Sequence, residues 1–179
     1  MARFAALTGR AYAPFEYVGH PQAEHVLVLM GSAAECGQEY VEQAVAAGER
    51  VGLVKVRLYR PFSAVHLLAV LPATATAVAV LDRCKEPGAG GEPLLQDVTL
   101  ALVDALQRGA RATLPRLVGG RYGLGGKEFT PAMVRAVFGA LADPQAAQRF
   151  TVGITDDITG LSLPVDGDFD AQFDARDPD

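Results

Sequence analysis

Apolar residues in this chain come as short unbroken runs, separated by stretches in which they recur every three or four positions. His25-Val-Leu-Val-Leu-Met30, Val51 to Val56 and Ala77-Val-Ala-Val-Leu81 are continuous rather than alternating, which suits strands buried on both faces. A weaker run from about Arg111 to Val118, and a last one, Phe150-Thr-Val-Gly-Ile154, predict two further strands. The intervening segments carry helical periodicity. Tyr40, Val41, Ala44 and Val45 form a stripe that Gly48 ends. Pro61-Phe-Ser63 opens a short helix through Leu71, stopped by Pro72. Pro93 opens a helix whose Leu94, Leu95, Val98, Ala101, Leu102, Ala105 and Leu106 make one broad face. Thr130-Pro131 is a cap followed by a first helical residue, and Val134, Val137, Phe138 and Leu141 continue the stripe.

Strands alternating with helices imply crossover connections and a mostly parallel sheet. The expected fold class is α/β, a doubly wound, mostly parallel sheet of about five strands with helices on both faces. Residues 1–21 mix Gly, Pro and aromatics without a usable period and read as a lead-in. Residues 22–165 make the α/β domain, and 166–179 an acidic flexible tail. Ser32-Ala-Ala-Glu35 has capping-box spacing, so Ser32 and Glu35 are expected to cap the first long helix reciprocally.

Composition narrows the function classes. Half of the 179 residues are hydrophobic, yet no run approaches the roughly 18 residues of a membrane span, and the start Met-Ala-Arg-Phe lacks the apolar stretch of a secretory signal. A cytoplasmic location follows as the expectation. Of the net charge of -5, the six Asp and one Arg of residues 166–179 account for all, leaving 15 basic and 15 acidic side chains in the body. That balance gives no electrostatic footprint for nucleic acid. Cys36 and Cys84 lie 48 positions apart without a CxxC. They read as reduced, buried or half-buried thiols, too few for a cluster held by this chain's own cysteines.

Catalytic motifs fail on inspection. Gly119 to Lys127 lacks the first glycine of a phosphate loop, where Arg121 stands, and has Glu128 where a magnesium-binding hydroxyl belongs. Gly31-Ser-Ala-Ala lacks the second and third glycines of a dinucleotide fingerprint. Asp166-Gly-Asp168-Phe-Asp170 starts like a calcium loop but has Ala171 and Asp177 at the sixth and twelfth positions. His20, His25 and His66 are scattered without ligand spacing. Asp156-Asp157 reads as turn capping and ion pairing with nearby arginines. No catalytic, cofactor-binding or metal-binding residue is assigned.

What remains is a rim. The loops after the second, third and fourth predicted strands, Arg57 to Phe62, Asp82 to Gly88 and Gly119 to Lys127, gather at one edge if those strands are parallel, the edge where open α/β sheets meet ligands and partners. Arg57, Tyr59, Arg60, Arg83, Lys85, Glu86, Arg121, Tyr122, Lys127 and Asp156 are the contact candidates there. Guanidinium groups suit bidentate pairing and stacking on tyrosine. With Asp82, Glu86, Glu128 and Asp156 on the same rim, internal ion pairs are expected to fix the loops. The glycines mark positive φ or close approach to another surface, most simply a protein surface.

The same residues carry a family resemblance. Tyr17-Val-Gly-His-Pro-Gln-Ala-Glu24, Met30-Gly-Ser32, Gly52-Leu-Val-Lys-Val-Arg-Leu-Tyr-Arg-Pro-Phe62, Leu81-Asp-Arg-Cys-Lys-Glu-Pro-Gly88, Gly91-Glu-Pro-Leu94, Gly119-Gly-Arg-Tyr-Gly-Leu124, Lys127-Glu-Phe-Thr-Pro-Ala-Met133 and Phe150-Thr-Val-Gly-Ile154 through Asp156-Asp157 occur in one order. The chain resembles an internal domain of the pyruvate:ferredoxin (flavodoxin) oxidoreductases, one with the fold of the transketolase C-terminal domain, over residues 7–165. Cys36, Cys84 and Gly126 depart from the hydroxyl residues common in that pattern. Residues 1–16 resemble the segment after the preceding thiamine-binding domain, so the chain is expected to begin at a domain seam. The resemblance implies that thiamine diphosphate, Mg, iron–sulfur clusters and coenzyme A belong to other parts of the enzyme. Alone, the chain is expected to be inactive, with sibling domains or subunits as partners and a homo-oligomer arising through the parent enzyme. The competing expectation is an autonomous module that binds an anion or nucleotide with the Gly119–Lys127 loop.

Overall fold

The computed structural model describes residues 2–166. Nearly all of the acidic tail, including most of its calcium-loop-like start, lies outside the described residues. Twelve elements follow one another: α1 (Ala2–Thr8), β1 (Phe15–Gly19), β2 (His25–Met30), α2 (Ala33–Ala46), β3 (Val51–Val56), α3 (Ala64–Val70), β4 (Ala77–Asp82), α4 (Pro93–Gln107), β5 (Arg116–Arg121), a 3-10 turn (Leu124–Gly126), α5 (Pro131–Ala142) and β6 (Arg149–Thr151).

The strands form one sheet in the order β1-β3-β2-β4-β5-β6. All neighbours pair in parallel except β1, which runs antiparallel to β3 with Phe15 opposite Val56 and Gly19 opposite Gly52. Alternate residues of each apolar run point to opposite faces. Leu27, Leu29, Leu53, Ala79 and Leu81 pack with α2 and α5 on one side. Val26, Val28, Val54, Val78 and Val80 pack with α3 and α4 on the other. The expected doubly wound α/β architecture with helices on both faces is present, and both faces of β2, β3 and β4 are covered, which is why those strands carry no polar alternation.

Several details differ from the sequence pattern: the last strand is only Arg149–Thr151 rather than 150–154, and α1 falls in the segment read as lead-in. The sheet has six strands, because Phe15–Gly19, read as lead-in, supplies an edge strand. One exposed edge and a short antiparallel pairing need no long apolar run, so periodicity gives no signal there. The fourth predicted strand lies later, at Arg116–Arg121 rather than about 111–118. Gly119 and Gly120 belong to it: a Cβ on Gly120 would meet Phe150 Cε2 at 2.5 Å, and one on Gly119 would meet Leu95 Cδ2 at 2.5 Å. Glycine is there for close approach, and contributes no hydrophobic signal. The capping box does not form. Ser32 is itself helical, at φ -61 and ψ -29, and makes no side-chain cap. Glu35 is instead drawn to Lys55 Nζ at 2.7 Å and Arg57 Nη1 at 2.8 Å. Lys55 is 3% exposed in the middle of β3 and also meets Gln38 Oε1 at 2.5 Å, so its charge is paired as burial requires.

Candidate functional site

Parallel strands deliver their carboxyl ends to one edge. Met30 pairs with Val56, Leu81 with Gly120 and Asp82 with Arg121, so the loops after β2, β3, β4, β5 and β6 share one rim. The chain also enters β1 there: the amides of Arg57 and Leu58 both donate to the Pro14 carbonyl, at 2.9 and 3.0 Å. From β2 the chain crosses to β3 through α2, whereas from β4 it crosses to β5 through α4 on the opposite face. The carboxyl ends of β2 and β4 are therefore a topological switch point, the place where doubly wound sheets leave a crevice.

A cavity of about 410 Å³ occupies that crevice, lined by Ser32, Cys36, Arg83, Tyr122, Phe129 and Thr130 among others. Thr130 caps α5 by accepting from the Met133 amide. Gly123 and Gly125, at φ 60 and 66, bend the loop after β5 back over the crevice. The Arg83 Nε donates to the Gly123 carbonyl at 3.4 Å, and Arg83 forms no ion pair among the described residues. Burial, helped by Glu39, pushes the Cys36 thiol up to about 12. Burial also raises Cys84, with Asp82 adding to it. Both cysteines are free, and neither environment favours a thiolate.

The rim candidates divide into three groups. Arg57 bridges Glu16 at 2.9 Å and Glu35 at 2.8 Å, tying β1, α2 and the end of β3 together. Arg60 pairs with Asp97 at 2.7 Å while its guanidinium stacks on the Tyr59 ring at 3.8 Å, and the Tyr59 hydroxyl donates to the same Asp97 at 2.9 Å. Burial first, then the bond to Asp97, pushes the Tyr59 phenol up to about 12. Lys127 meets Asp156 at 2.6 Å, joining the glycine loop to the segment after β6. These are the surface-facing pairs.

The second group faces inward. Arg121 Nε donates to Glu92 Oε1 at 2.5 Å, and Glu92 is only 2% exposed. Tyr122 is buried against Phe129, ring centroids 4.7 Å apart, and its hydroxyl reaches the Met30 carbonyl at 3.4 Å. The third group, Arg83, Lys85 and Glu86, is exposed and without an ion pair among the described residues.

The expected internal ion pairs exist, but mostly with other carboxylates. Glu16, Glu35, Glu92 and Asp97 do the pairing, and of the acids expected on the rim Asp156 alone takes part. Asp82 acts instead as a helix cap. Its two oxygens accept from the amides of Leu94 and Leu95 at 3.0 and 3.3 Å, closing the start of α4 from the end of β4. Pro93 has no N–H to offer, so these are the first donors of the helix that need a partner. Burial raises the Asp82 carboxyl above its ordinary range, the two amides opposing that shift. Asp157 caps its own turn, as its sequence position suggests, and Asp156 pairs with a lysine rather than an arginine. The acidic partners escape a sequence reading because they lie 22 to 41 positions from the groups they bind, beyond any local pattern.

The family model for "Pyruvate:ferredoxin oxidoreductase core domain II" matches residues 23–134. A probable pyruvate-flavodoxin oxidoreductase of Escherichia coli (strain K12) is 59% identical over 165 residues, covering 92% of this chain and 14% of that protein. The pyruvate-flavodoxin oxidoreductase of Rhodospirillum rubrum is 59% identical over 171 residues, covering 94% and 14%. The pyruvate:ferredoxin oxidoreductase of Moorella thermoacetica is 54% identical over 165 residues, covering 92% and 14%. A solved 2-oxoglutarate:ferredoxin oxidoreductase from Magnetococcus marinus is similar over 76% of this chain and 21% of its own, with a TM-score of 0.48 and 20% identity. The chain thus spans 14% of the length of these sequence relatives.

Proposed function

We propose, because this chain belongs to the pyruvate:ferredoxin oxidoreductase core domain II family, that it is a non-catalytic structural and interface domain of such an enzyme. The whole enzyme would decarboxylate a 2-oxoacid, pyruvate foremost, to an acyl-CoA and pass the electrons to ferredoxin or flavodoxin. Thiamine diphosphate with Mg, the iron–sulfur clusters and coenzyme A fall in this reading to other parts of the polypeptide. Among the described residues no group of three or more His, Cys, Asp or Glu could hold a metal ion, and burial raises both thiols. The division into lead-in (1–21), α/β domain (22–165) and acidic tail (166–179) stays part of the proposal, with Phe15–Gly19 given to the sheet. So does a cytoplasmic location; no helix among the described residues is long and apolar enough to cross a membrane.

The observation that carries the reading is the state of the rim. Three of its surface cations, Arg57, Arg60 and Lys127, are already matched by carboxylates of the same chain. Loops pinned in this way are ordered in advance, which suits docking against protein, where pre-ordering lowers the cost of association. The test uses the 179-residue chain beside a full-length relative. Calorimetry should detect no binding of thiamine diphosphate with Mg²⁺ to the isolated chain, and flavodoxin should not be reduced with pyruvate. Pyruvate oxidation by the chain alone overturns the proposal.

One observation favours the second reading, a small anion held in the crevice: Arg83 stands at its wall and forms no ion pair among the described residues. Calorimetry with phosphate, nucleotides and coenzyme A tests it, and Arg83→Ala is the informative variant, since Arg121 is committed to Glu92.

A further inference from the structure

We propose that Ile158 is an apolar anchor by which this rim seats on a neighbouring part of the same polypeptide. The inference rests on the interface-domain reading and identifies a contact within it that the charged candidates did not include.

Ile158 is 100% exposed. Single apolar groups on a surface are ordinary; the way this one is held is what distinguishes it. One oxygen of Asp157 accepts from the Thr159 amide at 3.0 Å and the Thr159 hydroxyl at 2.6 Å, and the other accepts from the Ser162 amide at 2.6 Å. On the other side, Lys127 holds Asp156 at 2.6 Å. The three bonds to Asp157 tie the turn bearing Ile158, the exposed Lys127–Asp156 pair adding little, and its side chain stands outward with less backbone freedom to lose on association. Beside it lies a hollow of about 400 Å³ walled by Leu124, Ile154 and Ile158, with Lys85 and Lys127 at its edge. Lys85 has no ion pair among the described residues.

A projecting aliphatic, an apolar hollow and an unmatched ammonium specify the partner surface: an apolar socket with a carboxylate next to it. Interface anchors have this form, a desolvated apolar group filling a pocket inside a polar border. The occupant is another domain of the oxidoreductase. This chain covers 14% of its relatives' length, so most of such a polypeptide is tethered nearby, at an effective concentration of order millimolar. A tethered contact can be small. A free partner or a second copy would need roughly 1,000 Å² of buried surface, far more than one isoleucine and a shallow hollow supply.

Hydrogen exchange tests it, comparing the isolated 179-residue chain with a full-length oxidoreductase in which this chain replaces the matching segment of the Escherichia coli relative. Amides of residues 155–161 should exchange roughly tenfold more slowly in the full-length protein, and Ile158→Asp should remove that protection without lowering the melting temperature of the isolated chain. Ile158→Ser serves the same comparison if the acidic variant disturbs assembly. Equal exchange at 155–161 in the two proteins, with protection still seen at 57–62 or 83–88, overturns this anchor and leaves the interface-domain reading standing. Absence of protection at every rim segment removes both. Protection of 155–161 in the isolated chain together with a dimer in sedimentation assigns the contact to a second copy, and overturns the proposal.

Discussion

Arg121 and Glu92 form a largely buried ion pair: the guanidinium is 20% exposed, the carboxylate 2%, and they meet at 2.5 Å. The pair joins the end of β5 to the residue before α4, so it braces the rim from beneath rather than facing a partner. Removing one member leaves the other buried without compensation. Arg121→Ala should cost about 3–5 kcal/mol in denaturant unfolding, while replacing both residues with an apolar pair should cost less. A loss under about 0.5 kcal/mol would mean that Glu92 finds solvent without Arg121.

Asp82 supplies a long-range helix cap. Asp82→Ala strips the partner from the Leu94 and Leu95 amides, and the expected cost is about 1–2 kcal/mol. Asp82→Asn keeps one acceptor oxygen and should fall between wild type and alanine. Thermal unfolding of the three proteins checks the order.

The glycines of the rim should separate by cause. Gly120→Ala places a Cβ 2.5 Å from Phe150 and 3.0 Å from Leu81, overpacking that costs about 1–3 kcal/mol. Gly125→Ala meets no atom within 4 Å but must hold φ +66, at about 1 kcal/mol. Gly90→Ala meets neither obstacle and should melt with the wild type.

Acid should weaken the join between α2 and β3. The hydrogen bond from Lys55, with Arg57 acting in the same direction against partial desolvation, holds Glu35 below the usual glutamate range. Its folded pKa is therefore lower than its unfolded one, so it adds stability above the unfolded value, roughly pH 4.3, and loses it as pH falls through the folded value. Asp82 runs the opposite way: burial raises its folded pKa, so its contribution declines as pH rises through that interval. Melting temperatures followed downward from about pH 5 should drop less steeply in Glu35→Gln than in wild type, while Asp82→Asn should lose the opposing slope.

Ser32 and Thr130 show how far local pattern reaches. Both look like helix starts in sequence, and both helices are there. Thr130 caps α5 because its backbone is extended at φ -117 and ψ 160, leaving its oxygen above the Met133 amide. Ser32 does not, because its backbone is already helical and Glu35 is claimed by a lysine 20 positions away. The same limit hides the partners of Arg57, Arg60 and Arg121, and Ile158 has no signal at all, since nothing in a lone isoleucine tells how its turn is tied.

Amino-acid order alone settled the α/β class, the three central strands, the long helices and the convergence of the loops, because these follow from apolar periodicity and from prolines and glycines acting within a few residues. Only the packed chain decided that β1 completes the sheet edge, that β5 runs through two glycines, which carboxylates pair with Arg57, Arg60 and Arg121, and which side chains of the rim are left facing outward. Those outcomes depend on distances between residues remote in sequence, and such distances exist only once the sheet has brought its edges together.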